Sequence, residues 1–139
     1  MESAKYFTLI DCKSFGHTEG SFPNWKFVWE VTVKLQVDGQ EEHHVNSGEE
    51  LVPAMCGALV RALHTFHCLK RVALYRYYIN GPDPEGMFNA SVVLSGDDNI
   101  WPADGRGRDC NTASLRALVI ALDMVISDSL AINNASQPN

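Results

Sequence analysis

The stretch Gly105–Asp109 (GRGRD) has the residue types best suited to hold a small ligand. Its two glycines permit close backbone approach, its two arginines supply positive charge, and a helix is expected to follow. Free N–H groups at a helix N-terminus favour an anion or a carbonyl oxygen. The G-x-G-x-x-G spacing of dinucleotide sites and the Lys-Ser/Thr pair of the P-loop are both missing. Two predictions stay open here: a metabolite site, or a tight surface turn whose arginines pair with neighbouring acids.

Carboxylates flank this stretch and also a second loop, residues 47–50, which precedes another predicted helix. A carboxylate performs general acid–base chemistry when burial moves its pKa towards neutrality, and an arginine can polarise a bound oxygen. The predicted catalytic residues are Glu50, Arg108 and Asp109. The predicted substrate-binding residues are Glu49, Trp101, Asp104, Gly105, Arg106, Gly107 and Asn111. The alternative prediction is a solvated, charged rim.

The histidines do not predict a metal site. His64 and His67 have the i, i+3 spacing of a helical metal pair, but a zinc site needs further ligands and the sequence offers no recognisable ones. We predict instead that they end a helix, where the dipole favours positive charge. His43 and His44 are neighbours in a predicted strand and therefore point to opposite faces. Neither a metal nor a cofactor is predicted.

Cysteine usage and the N-terminal residues indicate the compartment. Cys12, Cys56, Cys68 and Cys110 show no C-x-x-C pairing. The first residues also lack the basic start and apolar core of a secretory signal. We therefore expect free thiols and a cytoplasmic protein. No Ser/His/Asp or Cys/His nucleophile motif can be recognised in the sequence.

The charge balance and hydropathy exclude two classes of partner. The formal net charge of −6 argues against a nucleic-acid backbone or an anionic membrane surface as the main partner. The longest strongly apolar stretch, ALVIALDMVI, is too short to span a bilayer and contains Asp123. The expected partners therefore include no nucleic acid and no membrane.

The elements that must position the candidate residues occur in two copies. ALVRAL at residues 58–63 recurs as ALVIAL at residues 117–122, an offset of 59 residues (117 minus 58). Without a gap, the same offset aligns Gly48 with Gly107 and EVTVKLQVDG with NASVVLSGDD. Two copies are too few for a repeat array. They predict one supersecondary unit used twice within a single domain.

The first copy shows the order of elements in the unit. WKFVWEVTVKLQVDG alternates apolar and polar residues, which is typical of a half-buried strand ending in an Asp-Gly turn. EEHHV is predicted as a second, short strand, and a helix is predicted to start at Pro53. KYFTLIDCKSFG supplies the strand before them. The buried stripe of the helix is predicted to be Cys56, Leu59, Leu63 and Phe66.

The second copy repeats this order. RVALYRYYING, MFNASVVLSGDD and NIWPAD are its predicted strands, and Asn111 is the predicted N-cap of its helix. The buried stripe of this helix is predicted to be Leu115, Leu118, Leu122 and Val125. Because the strands alternate, antiparallel sheets with helices on one face are expected. The predicted fold is α+β, with two pseudo-symmetric β-β-β-α units (about 6–67 and 70–129) in one domain (1–139) and a polar tail at 130–139.

A twice-repeated β-β-β-α unit with a glycine-containing loop before each helix resembles the C-terminal regulatory (dimerisation) domain of the 2-isopropylmalate, homocitrate and citramalate synthases. DGRGRDCNTASLRALVIALD carries the closest match, to that family's Gly-x-Gly loop, Asp and Ala-Ser helix start. RVALYRYYINGPDPEGMFNASVVL resembles the strand pair before it. The resemblance covers about residues 6–128 and implies a homodimer that holds a small ligand at the paired loops. The matching positions are Gly105, Gly107, Asp109, Ala113 and Ser114.

Two departures from that family shape the expected function. The first helix is entered through Gly48-Glu49-Glu50-Leu51, where the family has Gly-x-Gly-Pro, which argues against an unchanged feedback amino-acid site. The family's condensing chemistry lies in a (β/α)8 barrel, which 139 residues cannot contain, so this chain alone is not expected to be an acyl-CoA condensing enzyme.

These departures lead to one main expectation and two alternatives. The main expectation is a stand-alone relative that binds a fairly apolar metabolite at the glycine loop, as a cofactor-free cyclase, isomerase or lyase that holds its substrate in a reactive conformer. The first alternative is a non-catalytic, amino-acid-binding regulatory or assembly subunit that acts in trans on a barrel synthase. The second alternative is a simple metabolite-binding dimer.

Overall fold

A computed structural model describes residues 2–136 of the protein. Its elements, in chain order, are β1 (Glu2–Ser3), β2 (Thr8–Glu19), β3 (Lys26–Val37), β4 (Gln40–Gly48), α1 (Leu51–Ala62), a 3-10 segment (His67–Arg71), β5 (Ala73–Asn80), β6 (Phe88–Gly96), β7 (Asn99–Gly107) and α2 (Cys110–Ser136). They form two compact units. Unit 1 is Phe7–His64 with β1, and unit 2 is the chain from Thr65 with Ala4–Tyr6.

Unit 1 is an antiparallel sheet in the order β1-β2-β3-β4, with α1 packed on β3 and β4. The predicted alternation of β3 is confirmed from Val31 to Val37, where every second side chain is buried. Phe27, expected on the same face, is 46% exposed. The register explains this, because Trp29 pairs with the last residue of β4 and the start of β3 extends past the part of the sheet that α1 covers.

Unit 2 is an antiparallel sheet in the order β5-β6-β7, with α2 packed on β6 and β7. Strand β7 alternates strictly, with Trp101, Ala103, Gly105 and Gly107 buried and the residues between them exposed. The buried apolar side chains of β6 and of α2 complete the core: Ala90, Val92, Leu94, Ala113, Ala117, Leu118, Val119, Ala121, Leu122, Val125 and Ile126. Leu115, predicted in this stripe, is only half-buried.

The two units confirm the predicted fold class, α+β built from a repeated β-β-β-α unit. Both central hairpins turn within two residues that have positive φ. The first turn is Asp38-Gly39, with φ values of 50° and 80°. The second is Asp97-Asp98, with φ values of 48° and 66°. The equivalent turns lie at equivalent positions of the repeat, which supports the alignment drawn from sequence.

Three predicted boundaries are wrong. Helix α1 begins at Leu51 rather than Pro53, which is tolerated because the third helical N–H has no partner within the helix anyway. Helix α2 begins at Cys110, so Asn111 is not its N-cap. Helix α2 also continues to Ser136 through the predicted polar tail, whose residues 137–139 lie outside the described part. Among residues 2–136, neither helix contains an apolar run long enough to cross a membrane.

Candidate functional site

Gly105 and Gly107, predicted to form a ligand loop, are the last inward-facing residues of β7. A Cβ atom on Gly105 would overlap the Ala113 carbonyl oxygen and the Ala117 amide nitrogen of α2. A Cβ atom on Gly107 would lie 2.8 Å from the amide nitrogen of Ala113. The prediction of a loop is therefore wrong. These glycines have no side chain because the backbone of α2 lies directly against the strand, and the space beside them is filled by the helix.

Asp109, a predicted catalytic carboxylate, caps α2. Its Oδ1 accepts a hydrogen bond from the Thr112 backbone N–H at 2.7 Å, and its Oδ2 accepts one from the Thr112 hydroxyl at 3.0 Å. Its carbonyl accepts the Ala113 N–H, the first hydrogen bond of the helix. An N-cap of this kind satisfies a donor that the helix leaves free. Both carboxylate oxygens therefore already hold a structural contact. Arg108 and Asn111, beside this cap, are exposed.

Arg106 pairs with neighbouring acids, as the alternative to a metabolite site predicted. Its Nη2 lies 2.8 Å from Asp83 Oδ2 and 2.7 Å from Glu85 Oε2, so it pairs with two acids. The backbone N–H of Met87 and the Arg106 guanidinium, followed by the Glu85 N–H, hold the pKa of the Asp83 carboxyl below its usual range. The same two carboxylates raise the pKa of Arg106. This network ties the β5–β6 connection to β7.

Asp104, on the same outer face of β7, has a structural partner too. Its Oδ1 accepts a hydrogen bond from the Ser91 hydroxyl of β6 at 2.6 Å. The side chains of Asp104 and Arg106 alternate with the buried glycines, so they point away from α2. The face of β7 that carries charge is therefore opposite the face that meets the helix.

Glu49 and Glu50 line a shallow pocket of about 320 Å³ in unit 1, together with residues 46–48, Pro53 and Ala54. Glu50 is the N-cap residue of α1, but no side-chain hydrogen bond caps the helix. Its carbonyl accepts the Ala54 N–H at 3.2 Å. Arg108 and Asp109, the residues predicted to act with Glu50 in catalysis, belong to unit 2. Their joint action stays a prediction.

A larger, open cleft of about 650 Å³ lies in unit 2, and Trp101 is the predicted site residue that lines it. Trp101 is 8% exposed, and its Nε1–H donates to Asp128 Oδ2 at 2.7 Å. The indole is thereby fixed in one orientation at the cleft wall. The apolar part of the lining comes from Val72, Val125, Ala131 and Ile132. The polar part comes from His67, Cys68, Arg71, Asp97, Asn99, Asp128, Ser129 and Asn133.

Arg71 contributes an exposed, positively charged side chain to this cleft. Its Nη1 lies 3.8 Å from Asp97 Oδ2, and both side chains are largely exposed. Exposed pairs at this distance contribute little to stability. The guanidinium can therefore turn to a ligand at small cost. The sequence did not predict that these polar residues line a cleft: His67 was considered only as a metal ligand, and Arg71 and Asp128 were not singled out. They come from the 3-10 segment and from the part of α2 near the predicted tail. A helix predicted to continue through residues 130–136 would have revealed one common face, because the spacing is that of a helix for Val125, Asp128, Ser129 and Ile132.

Burial makes two of the four cysteines poor nucleophiles. Cys12, Cys56, Cys68 and Cys110 all have free thiols. Burial raises the pKa of the Cys56 thiol to about 11. Burial, with a smaller effect from the neighbouring Asp11 carboxylate, raises the pKa of Cys12 to about 11 as well. Both thiols are therefore protonated at neutral pH, and a thiol is a far weaker nucleophile than a thiolate.

Comparison with known proteins gives one informative match. No family model matches the chain. Over 95 residues the chain is 30% identical to a protein of Archaeoglobus fulgidus named "Putative (R)-citramalate synthase CimA". Those residues are 68% of this chain but 19% of the relative, so the chain spans about a fifth of that protein's length. The chain is thus similar to one part of a citramalate synthase, in agreement with the resemblance seen in the sequence.

Proposed function

We propose that the chain is a small-molecule-binding domain whose ligand occupies the cleft of unit 2. The observation that carries this proposal is the hydrogen bond from Trp101 to Asp128, which holds a large aromatic face at the wall of a concave space. Small-molecule sites are typically concave and mostly apolar, with a few polar groups that fix orientation. The cleft of about 650 Å³ is within the usual size range for such sites.

The lining indicates the chemistry of the ligand. Trp101, Val72 and Ile132 offer apolar contact, and Arg71 offers a charged hydrogen-bond donor. A guanidinium binds a carboxylate through two parallel hydrogen bonds, which adds both energy and orientation. The proposed ligand is therefore a compact carboxylate with an apolar body, such as an amino acid or a short hydroxy acid. The proposed ligand is still a small metabolite, as expected from the sequence, but its proposed binding site is the cleft and not the start of α2.

The similarity to part of a citramalate synthase supports a regulatory role for such binding. A domain that resembles a segment of a synthase, and that binds a carboxylate, could report metabolite concentration to a barrel enzyme in trans. We propose this regulatory or assembly role as the function, with a second copy of the chain as a further partner. Sedimentation equilibrium tests the homodimer, because a mass of twice 15.4 kDa is expected.

A cofactor-free cyclase, isomerase or lyase is the second candidate. His67 and Asp128 line the same cleft, and an imidazole and a carboxylate are the groups that general acid–base catalysis uses most often. The two candidates share the ligand site and differ in turnover. Mass spectrometry of each bound metabolite after incubation with the protein alone separates them, because only the enzyme changes the mass or retention of its ligand.

Titration calorimetry with leucine, lysine, citramalate and branched 2-keto acids tests the proposed site. We expect at least one of these to bind and Arg71→Ala to weaken binding about 10- to 100-fold, since a hydrogen bond to a charged group contributes about 1.5–3 kcal/mol. Trp101→Phe should weaken it as well, by removing the donor that fixes Asp128. Arg108→Ala, at the start of α2, is the matched control. Loss of binding in Arg108→Ala with normal binding in Arg71→Ala would contradict the cleft and would support a ligand site at Gly105–Asp109, as the sequence predicted.

A further inference from the structure

Glu42, His44 and His64 form a compact cluster in unit 1 that the proposed function does not use. The Glu42 Oε2 atom lies 3.1 Å from His44 Nε2 and 3.2 Å from His64 Nε2. One ligand atom from each of the three residues lies within 4.8 Å of the other two. The imidazole rings of His44 and His64 are tilted, with centroids 5.9 Å apart. Two imidazole nitrogens and a carboxylate oxygen thus converge on one small volume.

The fold fixes where these groups meet. Glu42 and His44 are two residues apart on β4, an edge strand, so both side chains lie on the face that α1 covers. His64 follows the end of α1 by two residues. Two side-chain hydrogen bonds join the strand to the helix: Asn46 Nδ2 donates to Ala54 O, and Arg61 Nη1 donates to Val45 O, each at 3.1 Å. The position of His64 opposite the strand pair follows from this contact.

The spacing of the ligand atoms fits tetrahedral zinc. Zn²⁺ binds imidazole nitrogen at about 2.0–2.1 Å and carboxylate oxygen at about 2.0–2.2 Å, which places neighbouring ligand atoms of a tetrahedron roughly 3.3–3.5 Å apart. The two nitrogen–oxygen distances in the cluster, 3.1 and 3.2 Å, are within a few tenths of an ångström of this, and the two ring nitrogens lie within 4.8 Å of each other. Ca²⁺ and Mg²⁺ prefer six or more oxygen ligands, and this cluster offers two nitrogens.

We propose that Glu42, His44 and His64 bind one Zn²⁺ ion, with water at the fourth position. The side chain of His64 is 53% exposed, which leaves a route for the ion and room for that water. Without metal, the Glu42 carboxylate accepts a hydrogen bond from the Nε2–H of each ring. Zinc takes the place of these hydrogens, and each neutral ring then carries its N–H at Nδ1. Protonation of the rings competes with the metal, so binding weakens at acidic pH. The ion joins β4 to His64, two residues past the end of α1, and it stabilises unit 1.

The sequence offered no third ligand for His64 because the other two lie on the preceding strand. The chain also provides a matched control. His43 is adjacent to His44 on the same strand, but its side chain faces the opposite side of the sheet. Glu41, the acidic residue on that opposite face, pairs with Lys34 at 3.5 Å. His43→Ala therefore removes the same chemical group from the same strand without touching the cluster.

Titration calorimetry of tag-free, chelator-treated protein with ZnCl₂ at pH 7.5 tests the site. We expect one ion per chain, and a loss of affinity of at least about 10-fold in His44→Ala, His64→Ala and Glu42→Gln, since even outer-shell changes cost about 10- to 100-fold. His43→Ala should bind like wild type. Zn²⁺ should also raise the melting temperature of wild type and of His43→Ala, with no such rise for MgCl₂. Circular dichroism of each variant in chelator checks that it is folded.

Visible spectra with Co²⁺ in place of Zn²⁺ distinguish this cluster from the cysteines. Nitrogen and oxygen ligands in a tetrahedron give intense d–d bands without the near-ultraviolet charge-transfer band of a thiolate ligand. A thiolate band, or equal loss of zinc binding in His43→Ala and His44→Ala, would overturn the proposal. So would unchanged affinity in folded His44→Ala and His64→Ala. Because the cleft of unit 2 takes no part in these measurements, failure here leaves the proposed function standing.

Discussion

Gly105 and Asn46 hold equivalent positions in the two copies, yet each meets its helix in a different way. In unit 2 the strand residue is the glycine, and the backbone of α2 fills the space beside it. In unit 1 the strand residue is Asn46, whose amide donates to Ala54 O, and the glycine is on the helix. A Cβ atom on that helix residue, Gly57, would overlap the Asn46 side chain. Its counterpart on α2 is Arg116. Close strand–helix approach is thus achieved twice, with the glycine on opposite partners.

The equivalent glycines Gly107 and Gly48 make this packing testable. In Gly107→Ala the new Cβ would lie 2.8 Å from Ala113 N and 2.9 Å from Thr112 Cβ, so strand or helix must shift. Overpacking of this kind costs about 1–3 kcal/mol, and we expect that loss in the free energy of urea unfolding. Gly48→Ala is the control, because its Cβ would lie 3.7 Å from Ala54 Cβ, an ordinary contact. Its effect should stay within about 0.5 kcal/mol. Equal losses in both variants would contradict the packing argument.

The same glycines show why part of the site could not be predicted from sequence. A Gly-x-Gly pair before a helix fits both a ligand loop and a strand end pressed against a helix, and the residue types are identical in the two cases. The two cases are distinguished only in the structure, where Gly105 and Gly107 are buried against α2 and the residues between them are exposed. Trp101 was predicted as a site residue and does line the cleft of unit 2. Its partner Asp128 could not be paired with it, because that contact joins a strand to a helix face beyond the predicted stripe.

The β3–β4 and β6–β7 hairpin turns differ by one residue type. Both central positions of each turn have positive φ, which costs an L-residue other than glycine roughly 1–2 kcal/mol. The first turn has Gly39 at its second position, and the second turn has Asp98 there. The Asp-Gly turn was predicted from sequence because this pair is a strong hairpin signal. The second turn lacks this glycine, and its position was predicted only because Asp97-Asp98 aligns with Asp38-Gly39 in the repeat.

This difference predicts opposite effects for exchanged residues. Asp98→Gly should raise the free energy of unfolding by about 1 kcal/mol, since glycine adopts positive φ without a Cβ penalty. Gly39→Asp should lower it by a similar amount, because a Cβ atom at Gly39 meets nothing within 4 Å and only the backbone conformation changes. Urea unfolding of both single variants and of the double variant measures the two effects. A destabilised Asp98→Gly would show that the carboxylate holds this turn by a contact that outweighs its φ.

The repeat within the chain allowed most of the fold to be predicted from sequence. Alternation along the strands and the recurrence of ALVRAL as ALVIAL together gave the element order, the antiparallel sheets and the fold class. The strand and helix ends were less accurate, because β4, β7 and α2 all continue through polar residues. From residue type alone, Glu42 and His44 would be predicted to be solvent-exposed. What makes them a cluster is a third side chain that the helix brings back to the strand.

Asp83 is expected to make the stability of the whole chain depend on acid. Asp83 accepts the backbone N–H groups of Glu85 and Met87 at 2.9 Å each, and Arg106 Nη2 at 2.8 Å, and its pKa is lowered in the folded protein. A lowered folded pKa means that the ionised carboxylate stabilises the fold above the unfolded value of about 3.9. This stabilisation is lost as the pH falls through the folded pKa.

We therefore expect Asp83→Asn to be less stable than wild type at pH 7 and the difference to shrink as the pH falls below about 4. Urea midpoints between pH 2.5 and pH 7 measure it. Asp38→Asn, at the exposed turn of unit 1, is the control for loss of one negative charge from a chain of net charge −6. A difference between Asp83→Asn and wild type that persists unchanged to pH 2.5 would mean that the side chain acts through its shape alone. In that case the charge network of Asp83, Glu85 and Arg106 would not hold the β5–β6 connection in place.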